Sequence, residues 1–178
     1  MGPRPNDPIA WGARVEPAFR SQVRAIAARL GVNPDWLMAC MAFESGRTFS
    51  PTIRNAAGSG AIGLIQFMPS TAAALGTSVE ALAAMSAVQQ LVFVEAYFRP
   101  NKNRLRSLGD VYMAILWPGG IGKSDEWVLF RQDDPMHPKR YLQNRGLDWN
   151  DDGVITKAEA CAGPARELRV GLLAKNAE

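Results

Sequence analysis

The sequence contains few of the residues that form redox centres and metal clusters. Only two of its 178 residues are cysteine and one is histidine. Cys40 and Cys161 lie far apart and form no CxxC motif, which argues against a cysteine-bound metal or a redox dithiol. We interpret both as small buried side chains, with a disulfide between them left open. His137 lies between two prolines and is expected in a surface loop.

Long apolar runs and clusters of one charge are also missing. No stretch of about 18 apolar residues occurs, so we expect no membrane insertion. The N-terminal residues MGPRPNDPIAWGARVEP lack the apolar core of an export signal. The net charge of +3 is mildly basic, which favours an anionic polymer such as nucleic acid or cell wall, but no Lys/Arg cluster stands out and the charge alone selects no partner. We expect no nucleic-acid partner. A hydrophobic content of 47% predicts one globular domain over residues 1–178, which we expect to be a monomer.

What is present is mainly helical periodicity. Apolar residues recur at helical spacing from Glu16 to Gly31, which predicts an amphipathic helix that ends at the glycine. Asn33 and Pro34 then form a start signal for the run DWLMACMAFE, which is apolar on every face. A helix without a polar face belongs in the centre of the domain.

Further start signals predict an all-α body with one small lobe. Thr77 with Glu80, Ser86 and Asp110 are placed to cap three more helices, and PARELRVGLLAKN predicts a last one. Between residues 50 and 67 the glycines argue against a helix. We expect a short strand or tight loop over residues 61–66, and therefore an irregular or β-hairpin lobe.

One carboxylate stands at the end of the apolar helix. Glu44 follows Leu37, Cys40 and Met41 at helical spacing, so it shares their face. Loss of water around a carboxyl group raises its pKa, which suits a general acid that must hold its proton near neutral pH. The alternative is that Glu44 turns to solvent where the helix ends. A carboxylate there also meets the unfavourable end of the helix dipole, so stability alone does not explain it.

The glycine-rich segment that follows formally matches a dinucleotide-binding motif. Gly58, Gly60 and Gly63 have GxGxxG spacing, but such a motif follows a strand and opens a helix. Here NAA precedes it and Pro69 interrupts the expected helix. The nucleotide interpretation is therefore disfavoured, and we expect no organic cofactor.

Three features follow one another along the chain: ES at Glu44 and Ser45, GAIGLIQFMPSTA from Gly60, and the later aromatic helix DVYMAILWPGG. In this order and spacing they resemble the soluble lytic transglycosylase and goose-type lysozyme (SLT domain) family. The resemblance implies a lysozyme-like fold and cleavage of the β-1,4 bond between N-acetylmuramic acid and N-acetylglucosamine in peptidoglycan. It makes Glu44 the acid that protonates the glycosidic oxygen and then the base that allows a 1,6-anhydro ring to close.

The same resemblance implies the substrate contacts. Ser45, Gly60, Gln66 and Tyr112 occupy positions where the family binds saccharide or orients the acid, although the family motif AYNAG reads VYMAILWPGG here. Capping and turn formation are the alternative roles of Ser45 and Gly60. The candidates for a second catalytic carboxylate are interpreted as structural; they are Glu95 and Asp110.

A separate motif lies near the C-terminus. DWNDDGVITKAE, residues 148–159, fits the EF-hand pattern, with a glycine at the sixth position for the sharp turn. Five residues would supply the ligands: Asp148, Asn150, Asp152, the Val154 carbonyl and Glu159. The motif is single, whereas calcium sensors work in pairs, so we expect a structural Ca²⁺. A solvated turn is the alternative.

Two rival functions stay open at this point. One is a hydrolytic muramidase on the same fold, and the other is a non-catalytic, calcium-dependent glycan-binding module. With no export signal expected, the protein would reach a bacterial wall or periplasm by release, injection or machine-mediated export. A bacteriophage endolysin, a virion-associated enzyme and an exported effector all fit.

Overall fold

Helices form most of the regular structure in the computed structural model, which describes residues 7–55 and 58–178. Ala56 and Ala57 of the predicted lobe, and residues 1–6 of the predicted single domain, lie outside this part. The helices are α1 Pro17–Leu30, α2 Pro34–Glu44, α3 Pro69–Ala74, α4 Val79–Ala83, α5 Ala87–Phe98, α6 Leu108–Leu116, α7 Pro138–Asn144 and α8 Lys157–Gly171. Two short strands pair antiparallel, β1 Val128–Arg131 and β2 Val154–Thr156.

Helix α2 lies at the centre of the described fold and packs against α1, α6 and α8. Its residues 37–42 are all buried, because the helix has no polar face to offer to water. The predicted boundaries of α1 and α2 are confirmed. Asn33 caps α2 by accepting a hydrogen bond from the Asp35 amide, and Gly31 ends α1 with φ of 72°. None of the helices in the described ranges is long and apolar enough to cross a membrane.

Three predicted helix starts were wrong by a few residues. Ser78 caps α4 in place of Thr77, and Ser107 caps α6, so Asp110 lies in the first turn of that helix. In both cases the hydroxyl oxygen of a nearby serine accepts a hydrogen bond from a backbone amide in the first turn of the helix. The last helix begins at Lys157, because Thr156 and Glu159 form a capping box directly after β2, and Pro164 lies inside it.

The lobe between α2 and α3 is irregular. No strand forms over residues 61–66 in the described part, where isolated bridges join Ile62 to Arg54 and Phe67. The tight-loop alternative therefore holds. The fold's two-stranded sheet lies elsewhere, beside the EF-hand-like loop, because β2 is the end of that loop.

Gln90, on α5, holds the lobe to the helical body. Its side chain is fully buried; Oε1 accepts from the Leu64 amide at 2.8 Å, and Nε2 donates to the Pro51 and Leu82 carbonyls at 3.1 Å each. A Cβ at position 63 would overlap this amide, and Gly63 has φ of +81°. A glycine is therefore required where the lobe meets α5.

We expect Gly63→Ala to destabilise the protein by about 2 kcal/mol or more, from positive φ and the clash with Gln90 together. Gly76→Ala is the matched control, because Gly76 has φ of +74° but no atom within 4 Å of an added Cβ. Urea unfolding of both variants measures the difference. Equal losses would show that Gln90 yields to the added methyl group.

Candidate active site

Glu44 is the last residue of α2 and is half-buried. Its carboxyl group forms no hydrogen bond or ion pair with the described residues. Burial raises the pKa of Glu44 from 4.5 to about 7. The carboxyl therefore holds its proton for a substantial part of the time near neutral pH, as a general acid must.

Two tyrosines from neighbouring helices lie close to Glu44. Tyr112 on α6 is buried and its ring meets Phe43 edge-on at 5.5 Å. Tyr97 on α5 donates a hydrogen bond to the Ala114 carbonyl at 2.6 Å. Burial and then the charge of Glu44 raise the pKa of Tyr97 to about 12 and the pKa of Tyr112 well above its usual range. Sequence reasoning missed Tyr97, because a tyrosine in the helical run VEAYF does not differ from a core residue.

Ser45 points into the protein. It is fully buried, and its hydroxyl accepts a hydrogen bond from the Phe49 amide at 3.0 Å. Its carbonyl accepts from the Thr48 hydroxyl at 2.7 Å. These contacts turn the chain at the end of α2 and favour the capping alternative, while a role of Ser45 in saccharide binding or in orienting the acid stays a prediction.

Gly60 and Gln66 belong to the lobe. Gln66 donates its side-chain amide to the Gly63 and Ile53 carbonyls at 3.1 and 3.3 Å, which leaves only its Oε1 free for a ligand. Gly60 has φ of +76°, and Pro69 lies 3.3 Å from the position of a Cβ. Neither Gly60 nor Gln66 forms a hydrogen bond with Glu44 in the described structure, so a contact of these two residues with saccharide stays a prediction.

The other candidate carboxylates are committed to structural contacts. Glu95 pairs with Arg29 at 2.7 Å, and this contact lowers the Glu95 pKa. Asp110 is buried and accepts from Lys157 Nζ at 2.9 Å and from the Gly122 amide at 2.8 Å. Burial acts to raise the pKa of Asp110, but these hydrogen bonds outweigh the effect of burial, and the pKa is lowered. Glu44 is thus the unpaired carboxylate of this region.

Along the chain, the half-buried acid is followed by an irregular glycine-rich lobe and then by an aromatic helix. Residues 21–104 match the Transglycosylase SLT domain. The SLT match contains Glu44, Ser45, Gly60 and Gln66, spans a little under half of the chain, and ends before α6. It supports a lysozyme-like, glycan-cleaving enzyme that acts on peptidoglycan. A comparison with curated proteins finds no match.

The EF-hand-like loop lies outside the SLT match, between α7 and α8. Asp148 Oδ2 accepts from the Tyr141 hydroxyl at 2.6 Å and from the Gly153 amide at 3.0 Å. Glu159 Oε2 accepts from the Thr156 amide at 2.9 Å. The second oxygen of each carboxylate, Asp148 Oδ1 and Glu159 Oε1, is buried without a hydrogen-bond partner.

Two buried, unpartnered carboxylate oxygens fit a hard cation, because an unpaired charge away from water is costly. In the described ranges, no three His, Cys, Asp or Glu side chains are placed to hold a metal by themselves. An ion here would also need the Asn150 side chain and the Val154 carbonyl. Asn150 Oδ1 accepts from the Asp152 amide and Asp152 Oδ1 from the Val154 amide, and each of these oxygens keeps a second lone pair for an ion.

Proposed function

We propose that the protein is a lytic transglycosylase that cleaves the β-1,4 bond between N-acetylmuramic acid and N-acetylglucosamine and leaves 1,6-anhydromuramic acid ends. The observation that carries this proposal is the Glu44 carboxyl, which is half-buried, unpaired and shifted to a pKa of about 7. The SLT match over residues 21–104 supports peptidoglycan as the substrate.

Glu44 performs both steps of this reaction. Its proton goes to the glycosidic oxygen as the bond from that oxygen to muramic acid C1 breaks, and the bonding electrons leave with N-acetylglucosamine. The N-acetyl group of the muramic acid stabilises the positive charge at C1. The Glu44 carboxylate then takes the proton of the C6 hydroxyl, whose oxygen bonds to C1 and closes the anhydro ring. Glu44 ends the cycle protonated, as it began.

Of the two rival functions, hydrolysis requires a base to activate water. Inverting glycosidases supply it with a second carboxylate, and retaining enzymes use one as a nucleophile. Glu95 and Asp110 are held by Arg29 and Lys157, which supports the route that needs only Glu44. A non-catalytic glycan-binding module would not require an unpaired acid with a raised pKa.

We expect digested peptidoglycan to contain muropeptides that end in 1,6-anhydromuramic acid, lighter by one water than the hydrolysis products. Mass spectrometry after digestion in isotopically labelled water separates the outcomes, because a hydrolase places the label at the new reducing end. Labelled reducing ends as the main product would show that water is the acceptor and would establish a muramidase in place of a transglycosylase.

We also propose that the loop of residues 148–159 binds one structural Ca²⁺. Its ligands would be Asp148, Asn150, Asp152, the Val154 carbonyl and Glu159. The unpartnered oxygens of Asp148 and Glu159 support this site. The ion would neutralise three carboxylates and join the loop to the first turn of α8, where Glu159 lies.

A further inference from the structure

A cavity of about 440 Å³ opens between the EF-hand-like loop and α8. Its lining includes Phe43 but not Glu44, so it is distinct from the surface at the acid. Small-molecule and peptide side-chain sites have volumes of this order, and they combine an apolar lining with a few polar groups. Neither the SLT match, which ends at residue 104, nor the calcium site assigns a role to it.

Aromatic and small residues form its apolar walls. Phe43 lies against Gly163 of α8, where any Cβ would overlap the Phe43 ring. Leu147 and Ala162 extend the apolar surface. Trp149 stands at the rim with 66% of its surface exposed, which leaves an indole face for a ligand. Exposure of so large an apolar side chain at a cavity is a feature of binding sites.

Two guanidinium groups give the cavity a positive character. Arg169 is exposed and forms no hydrogen bond or ion pair with the described residues. Arg166 lies 3.8 Å from Glu167, but that carboxylate already holds Arg47 through two bonds of 2.8 and 2.9 Å. Arg166 therefore keeps donors for a ligand. Glu159 is the acidic member of the lining; its Oε2 accepts from the Thr156 amide and its Oε1 has no hydrogen-bond partner, so the lining holds two guanidinium groups and one carboxylate.

The cavity is close to the acid along α2 and through one aromatic contact. Phe43 directly precedes Glu44, and the Phe43 ring meets Tyr112, whose pKa responds to the charge of Glu44. One wall of the cavity and the acid are therefore neighbouring residues at the end of α2. In peptidoglycan, the muramic acid next to the cleaved bond carries a short peptide with free carboxylates.

We propose that this cavity binds the carboxylates of the peptide stem attached to the muramic acid, with Arg169 and Arg166 as the donors and Trp149 as the apolar wall. The inference rests on the proposed function for the identity of the glycan. Arginine matches a carboxylate by two parallel hydrogen bonds, so loss of one guanidinium should weaken binding on the order of tenfold.

The first test measures binding without turnover. Calorimetry with Glu44→Gln protein compares an N-acetylmuramyl peptide with N-acetylmuramic acid that lacks the peptide. We expect the peptide to bind more tightly, and Arg169→Gln to weaken it about tenfold. Lys175→Gln is the matched control, because Lys175 is exposed, carries the same charge and does not line the cavity. Equal binding of both ligands, or equal effects of both substitutions, would overturn the proposal.

The second test uses cleavage of peptide-bearing and peptide-free glycan strands. The ratio of kcat/KM on the two strands should fall about tenfold in Arg169→Gln and stay constant in Lys175→Gln. Failure of the wild type to cleave either strand would remove the proposed function, while the binding experiment still decides the cavity. Inorganic phosphate that competes as well as the peptide would show that the arginines hold any anion, which also overturns the assignment.

Discussion

Glu44→Gln should lower turnover of peptidoglycan by a factor of about 10²–10⁴ or more, with the fold and glycan binding retained. The amide has the shape of the carboxyl group but can neither give a proton to the glycosidic oxygen nor take one from the C6 hydroxyl. Release of muropeptides from purified walls measures the loss, and co-sedimentation with the walls measures the binding. A non-catalytic module would show no turnover in the wild type either.

Glu95→Gln provides the matched control for this variant. It makes the same chemical change on α5, where the carboxylate pairs with Arg29 and does not face the reaction in the proposed mechanism. We expect its turnover to stay within a few-fold of the wild type, with at most a small loss of stability from the ion pair. If Glu95→Gln is inactive and Glu44→Gln is active, the catalytic assignment moves to α5.

Glu44 also makes stability depend on pH in a stated direction. In the unfolded chain the Glu44 carboxyl loses its proton near pH 4.5, while in the folded protein it keeps the proton up to about pH 7. Between these values the unfolded state binds fewer protons, so this residue lowers stability as pH rises, and the loss is complete above 7. Glu44→Gln should therefore be more stable than the wild type at pH 8, by on the order of 1–3 kcal/mol, and not at pH 4. Thermal unfolding at the two pH values measures the difference.

Calcium should raise the melting temperature by about 5–10 °C when it is present at a hundred times its Kd. Binding to the folded state alone contributes about 2.7 kcal/mol at that concentration, and a domain of this size shifts by about 2–4 °C per kcal/mol. Magnesium should substitute poorly, because its small octahedral shell does not suit a bidentate Glu159. Removal of calcium by a chelator should lower the melting temperature, but it should change the rate of peptidoglycan cleavage little at temperatures where the protein stays folded.

Two substitutions separate calcium binding from a general effect of charge. Glu159→Gln keeps an oxygen for the Thr156 amide but removes the charge of the last ligand, so the calcium shift should disappear. Asp151→Asn removes the same charge from a loop position that is not a ligand in the EF-hand pattern, and asparagine accepts the φ of 56° found there. Its shift should persist. If calcium changes the rate at constant melting temperature, the site is regulatory and the structural assignment is wrong.

The sequence by itself determined the features that depend on near neighbours. The spacing of apolar residues and the caps at Asn33 and Gly31 determine α1 and α2, and the same spacing places Glu44 on an apolar face. The EF-hand pattern could be recognised in the sequence because all of its positions lie within residues 148–159, and the calcium that it would bind stays a prediction. Capping and periodicity act over about one helical turn, so a linear pattern contains them.

Only the tertiary structure decided which distant groups meet. Tyr97 and Tyr112 reach Glu44 from different helices, Gln90 crosses from α5 to hold the lobe, and the cavity needs α8 against Phe43. It also decided that the buried Ser45 hydroxyl accepts a hydrogen bond from the Phe49 amide. These arrangements depend on how buried helices pack and on which buried polar groups find partners, and neither depends on spacing along the chain.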